Sequence, residues 1–181
     1  MIRATFLVPL LLSVPIHAQV ENARSSTVDF VQRFYAWYAP FAQSEHKSPA
    51  FELAIKHNAA LFSVELRSAL MSDAAAQPKV SGYIVGIDFD PFLNSQDPAG
   101  RYEIGKVIEQ GNCYLFHLHA VIERNKQPRP AVIAEVEQQS GNWVFVNFRY
   151  PEGSDLLSTL RNLSARRSKE LSARRSKEPG K

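Results

Sequence analysis

The sequence predicts an α+β fold in which N-terminal helices pack on a curved, four-stranded antiparallel meander. Apolar residues recur at helical spacing up to about residue 76, and from Arg101 onward they alternate with period two. The alternating runs are separated by QGN, RNKQPRP and SGN, whose Gly, Asn and Pro residues are turn formers.

Residues 1–18, MIRATFLVPLLLSVPIHA, read as a secretory leader: Arg3 supplies the charge, Phe6 to Ile16 the apolar run, and Ala18 a small residue before the cut. Pro9, Ser13, Pro15 and His17 interrupt a run already short of the roughly 20 apolar residues a membrane span needs. The expectation is cleavage near Ala18, no membrane span, and a mature chain in the periplasm or secreted. A first helix is expected from a cap at Ser26 or Thr27, with Phe30, Phe34, Trp37, Tyr38 and Phe41 on one face and Pro40 as its kink or end. A second should run from Ser48-Pro49 through FELAIKHNAALF, and a third from Ser63 through VELRSALMSDAAA.

The four strands expected are RYEIGKVIE, CYLFHLHAVIE, AVIAEVEQ and WVFVNFRY. Because a slip of one residue turns an apolar face to water, matching apolar faces sets the register. Pairing Ile104 with Leu118, Leu118 with Val136 and Val136 with Val146 makes both Gly-Asn hairpins three-residue loops. The core face then holds Tyr102, Ile104, Ile108, Tyr114, Phe116, Leu118, Ala120, Ile122, Val132, Ala134, Val136, Val144, Val146 and Phe148, with Lys106 as its one charge. A short helix, SDLLSTLRNL, is expected to close a single domain over residues 19–162.

Residues 163–181 contain LSARRSKE twice in tandem, then PGK. With Leu163 and Leu171 as its only large apolar residues, this tail is expected to be disordered. It carries seven basic and two acidic groups, so the chain's net +3 hides a domain of net −3. The tail can attract anionic surfaces without specificity, and the acidic domain has no charge signature of a nucleic-acid binder. Cys113 is the only cysteine, which excludes an intramolecular disulfide.

The predicted register places Glu103, His119, Glu135 and Asn147 in one row on the outer sheet face, with His117 beside Glu137. Polar residues on that face fit a partner-facing surface, and the histidines between carboxylates are also ligand types for zinc. A second candidate is the connection GIDFDPFLNSQDPAGRY, with Asp88, Asp90, Asn94, Asp97 and Arg101. Asp88 and Asp90 there could act as a carboxylate pair or, with Asn94 and Asp97, bind calcium, while the same residue types also build turns. The chain has no HExxH, GxSxG, GxGxxG, Walker loop or CxxC, so no catalytic, cofactor or metal residues are assigned. The leading expectation is a non-catalytic protein-binding domain, an accessory or inhibitor, whose partner is another envelope protein or a second copy. The alternative is a small-ligand binder or enzyme with a helix–sheet pocket, Asp88 or Asp90 as base, and Tyr35, Tyr38 or Tyr102 as donor.

FVQRFYAWYAPF, DFDPFLNSQDP, RYEIGKV and NWVFVNFRYP followed by DLL together resemble a bacterial family known as domain of unknown function 3828, over about Thr27 to Leu160. That resemblance implies an exported protein, often a lipoprotein; this chain lacks the lipid-accepting cysteine, and the duplicated tail falls outside the match. Helices followed by a curved meander also resemble the cone-shaped, cystatin-like fold of nuclear transport factor 2, an analogy of fold alone.

Overall fold

The computed structural model describes residues 16–76 and 86–175. All but the last three residues of the expected leader therefore lie outside the described residues. Helices α1 (Ile16–Gln43), α2 (Ala50–His57) and α3 (Val64–Ala76) precede strands β1 (Tyr102–Gln110), β2 (Cys113–Ile122), β3 (Asn125–Lys126), β4 (Val132–Gln139) and β5 (Asn142–Arg149), and α4 (Leu156–Arg175) follows. The strands form one antiparallel sheet in the order β1-β2-β4-β5, with β3 paired to the end of β2. The architecture is α+β as expected, with five strands in place of four.

Helix α1 starts earlier and ends later than its sequence signals. Ser26 is not a cap: its hydroxyl donates to the Ala23 carbonyl at 2.9 Å and accepts from the Trp143 indole at 3.0 Å. Pro40 sits inside the last turn, which continues to Gln43 because the Ser44 hydroxyl and the His46 ring take up the Pro40 and Phe41 carbonyls. The second helix is shorter than expected; it stops at His57, and a 3-10 turn over Ala59–Leu61 leads to α3.

The core is aromatic. Phe34, Phe62, Phe92, Phe145 and Phe148 meet edge-on, tilted or, for Phe62–Phe92 and Phe145–Phe148, stacked, with Val31, Tyr35, Tyr38, Leu66, Leu70, Phe116, Leu118 and Leu156 packed around them. Each such ring removes 150–250 Å2 from water, roughly 4 kcal/mol or more apiece by area.

Three register features depart from expectation. Both hairpins close through two-residue loops, Gly111-Asn112 and Ser140-Gly141, with Gly111, Ser140 and Gly141 at positive φ. The extra residue moves into the strands: β1 bulges at Gly105–Lys106 and β5 at Val146. The bulges flip side-chain parity, so Val107 and Phe145 reach the core in place of Ile108 and Val146, Val144 goes to the outer face, and Lys106 is exposed. Ile122, at the strand's end, is 51% exposed. The third feature is a four-residue shift of β4. The end of β2 turns tightly at Glu123-Arg124 and pairs with Asn125–Lys126, and PRPA then loops out before β4 resumes, so Leu118 faces Val132 instead of Val136.

The closing helix does not stop near Asn162. It continues through the first octapeptide copy and into the second, to Arg175, which corrects the expectation of a disordered tail for these residues. Leu156, Leu160, Leu163 and Arg167 form one helical stripe, and Arg167 ends it in a largely buried ion pair with Asp73 of α3 at 2.6 Å. Ala, Leu, Arg, Lys and Glu are strong helix formers, so an anchored stripe extends the helix cheaply. Residues 176–181 lie outside the described residues.

Candidate functional site

The connection into β1 is built around a turn, Asp90 to Leu93, that four tyrosines hold. Tyr38 Oη donates to Asp90 Oδ2 at 2.5 Å, Tyr150 Oη to the Pro91 carbonyl at 3.2 Å, Tyr35 Oη to the Phe92 carbonyl at 3.0 Å and Tyr102 Oη to the Leu93 carbonyl at 3.5 Å. Asp90 Oδ1 accepts from the Phe92 and Leu93 amides at 2.9 and 3.1 Å, and a bridge to Ser95 closes the turn. The turn thus buries Phe92 and Leu93 in the core while every carbonyl it carries inward meets a hydroxyl, as buried polar groups require. Burial pushes the Asp90 carboxyl up to about 6 against the pull of its three hydrogen bonds, and pushes the Tyr102 phenol up to about 12.

The residues of the loop candidate do not form one site. Asp88, which accepts from the Gln96 amide at 3.2 Å, and Asp90 line a 320 Å3 surface cavity with Phe51, Phe89, Pro49 and Pro98. Asn94, at φ 52°, donates to the Ala131 carbonyl at 3.0 Å and ties the loop to the insertion before β4. The backbone amide of Asp97 bonds to the Ser95 hydroxyl, and Arg101 pairs with Glu103 at 2.6 Å.

The polar row on the outer face is likewise divided. Glu103 lies opposite His119 and Glu135 opposite Asn147, as expected, but the shift of β4 separates the two pairs. Leu115, not His119, faces Glu135, four residues or about 13 Å along β2. His117 faces Ile133, and Glu137 faces Cys113. Among the described residues no three His, Cys, Asp or Glu side chains gather as a metal-holding group.

Several of these side chains have structural partners. His119 Nδ1 donates to the Gln127 carbonyl at 2.8 Å, and its ring covers Gly105 so closely that a Cβ there would collide with it. Burial, with Lys106 and His119 nearby, holds the His117 pKa below its ordinary value. Glu135 is buried in an ion pair with Arg149. The Asn147 amide donates to Asp155 Oδ1 at 3.0 Å, and that same oxygen caps α4 through the Ser158 amide at 2.9 Å. Burial alone would raise the Asp155 carboxyl, but these hydrogen bonds hold it below the usual carboxylate range. Burial pushes the Cys113 thiol up to about 11, so it stays protonated at neutral pH.

A pocket was expected between the first helix and the sheet, and a groove of about 770 Å3 lies between α1 and the outer edge of β1; Tyr35 and Tyr102 line it, whereas Tyr38, Asp88 and Asp90 do not. Val28, Gln32, Ala36 and Pro40 form its helix wall, and Gly100 to Ile104 its strand wall. The spacing of Val28, Gln32, Ala36 and Pro40, one helical row at i, i+4, was legible. Which strand that row would face was not.

No protein-family model matches the chain, and no curated protein matches it. Among solved structures the chain is similar to a protein of unknown function from Bacteroides thetaiotaomicron, with 15% identity and a TM-score of 0.50, over 75% of this chain and 99% of that one. At that identity the likeness shows the fold alone: helices on an antiparallel sheet, α+β.

Proposed function

We propose that the chain is an exported, non-catalytic binding protein whose partner is a polypeptide, an envelope protein or a second copy, held by a domain of the nuclear transport factor 2 cone type. The leader pattern over residues 1–18 and the resemblance to an exported family support the location. One observation carries the binding role: a 770 Å3 groove runs beside β1, a strand at the edge of the sheet. The ionisable groups nearby are engaged, Arg101 with Glu103 and the Tyr35 and Tyr102 hydroxyls with backbone carbonyls. The experiment is native mass spectrometry of the mature chain, Gln19 to Lys181, drawn gently from the cell envelope. A polypeptide adduct is the expected result; a small-molecule adduct without any polypeptide overturns the reading.

A second reading, a small-ligand site or enzyme at the Asp88–Asp90 cavity, is favoured by one observation. Asp90 titrates near 6, in the range of a usable general base, and lines a cavity with apolar walls. Loss of the small-molecule adduct in Asp90→Asn, with an unchanged fold, is its expected outcome; retention of that adduct removes it.

A further inference from the structure

The backbone bonding of β1 identifies the form in which a partner would enter the groove. The Val121 amide donates to the Arg101 carbonyl at 2.9 Å, which makes Arg101 and Val121 a hydrogen-bonded pair of the antiparallel ladder. The pairs then alternate: Glu103–His119 is hydrogen-bonded, while Tyr102–Ala120 and Ile104–Leu118 are not. On the β2 side this holds, because the Ala120 and Leu118 carbonyls turn away from β1 to accept from Gln127 and Ala131 at 2.9 and 2.7 Å. On the β1 side it directs the N–H and C=O of Tyr102 and the N–H of Ile104 away from β2, to the outer edge. That edge is one wall of the groove, and among the described residues no hydrogen bond from α1 reaches these three groups. Lys126 Nζ takes the Ile104 carbonyl, and the Gly105–Lys106 bulge ends the regular edge immediately after it.

We infer that the groove between α1 and β1 binds an extended peptide segment of a partner protein, which adds as a short strand to the Gly100–Ile104 edge. The inference rests on the binding reading above and names its partner class. An edge strand's free groups are satisfied by another backbone in extended form, and pockets along the added strand then select its alternate side chains. One side of the added strand would face the helix wall, where Val28, Ala36 and Pro40 leave room for small or branched apolar side chains. The other side would lie next to Arg101 and Glu103, which suits charged side chains of either sign. The bulge limits regular pairing to about four or five residues, a length that fits a peptide segment and is short for joining two sheets into a dimer.

The experiment is selection from a phage-displayed random heptapeptide library on the mature chain, followed by binding of the selected synthetic peptide. Peptides with alternating apolar and polar residues are expected, and N-methylation of their alternate amides should weaken binding tenfold or more while methylation between them is tolerated. Ala36→Trp, on an exposed helix position, fills the groove without touching the core and should weaken binding by a similar factor, with Gln32→Trp as a second blocking variant. Bound peptide should slow exchange of the Tyr102 and Ile104 amides. Failure to select any peptide, or binding indifferent to both tryptophans and to N-methylation, overturns the inference. A co-purified polypeptide that ignores both tryptophans overturns strand addition alone and leaves the binding role standing. A small-molecule adduct with no polypeptide removes both.

Discussion

The two edges of the sheet receive opposite treatment. At β5 the edge is closed: the Ser63 amide donates to the Phe145 carbonyl at 2.9 Å, Phe62 and Arg149 make bridges to Phe145 and Asp155, and α4 is capped directly onto the strand by Asn147 and Asp155. At β1 the edge stands beside a groove, interrupted by a bulge and by the exposed Lys106. A bulge and a lysine are what discourages long, indiscriminate edge pairing. The contrast teaches that β5 is tied into the helices around it, while among the described residues β1 has no strand on its outer side.

Substitutions should separate the two sides. The largest effect belongs to the closed side: Arg167→Ala leaves Asp73 buried, accepting from the Ile87 amide, without its guanidinium, at a cost of about 3–5 kcal/mol in urea unfolding. A change below about 1 kcal/mol would mean that α4 past Leu163 contributes little. The turn leading into β1 should respond to pH instead. The folded Asp90 pKa, about 6, is raised above the ordinary 3.8, so the native state holds the proton more tightly than the unfolded chain. Its contribution is fullest below about pH 4, declines as pH rises toward 6 and is gone above it, a loss on the order of 3 kcal/mol. Asp90→Asn should flatten that part of the stability profile; an unchanged profile would place the titration elsewhere. Asp155 works in the other direction, since its lowered pKa adds stability that disappears on acidification.

Smaller effects probe the bulge and the edge. Gly105→Ala drives a methyl into the His119 ring and should cost about 1–3 kcal/mol, with recovery in the His119→Ala background if the ring is the obstacle. Asp155→Ala should cost about 1 kcal/mol through loss of the α4 cap. Arg101→Ala, on the open edge, removes an exposed pair with Glu103 and should change stability by less than about 1 kcal/mol. A large loss there would mean that the edge is structural, and the comparison between the two sides would collapse.

The parity of the strands was legible because each has one apolar face, and the pairs Glu103–His119 and Glu135–Asn147 follow from it. Their assembly into one row was not legible. The insertion QPRPA looks like part of a long hairpin loop, whereas Asn125–Lys126 pairs first and the remainder loops out, moving β4 by four residues without changing parity. The bulges were hidden for a similar reason: Gly111 and Gly141 signal hairpins equally well with two-residue loops or three. The segment DFDPFLNSQDP was recognisable as turn chemistry, but the convergence of Tyr35, Tyr38, Tyr102 and Tyr150 on it joins three distant parts of the chain.

Local pattern by itself determined the fold class, the third helix, the four long strands and most of the core, because periodicity and turn chemistry act within about ten residues. Only the tertiary structure decided how far α1 and α4 run, which carboxylates are spent on caps and ion pairs, and which sheet edge stays open. Those outcomes depend on partners far apart in sequence. Asp73 awaits Arg167 and Phe62 finds Phe145, while among the described residues no strand pairs with the outer edge of β1. Hydrogen bonds and ion pairs across such separations leave no periodic trace in the chain that makes them.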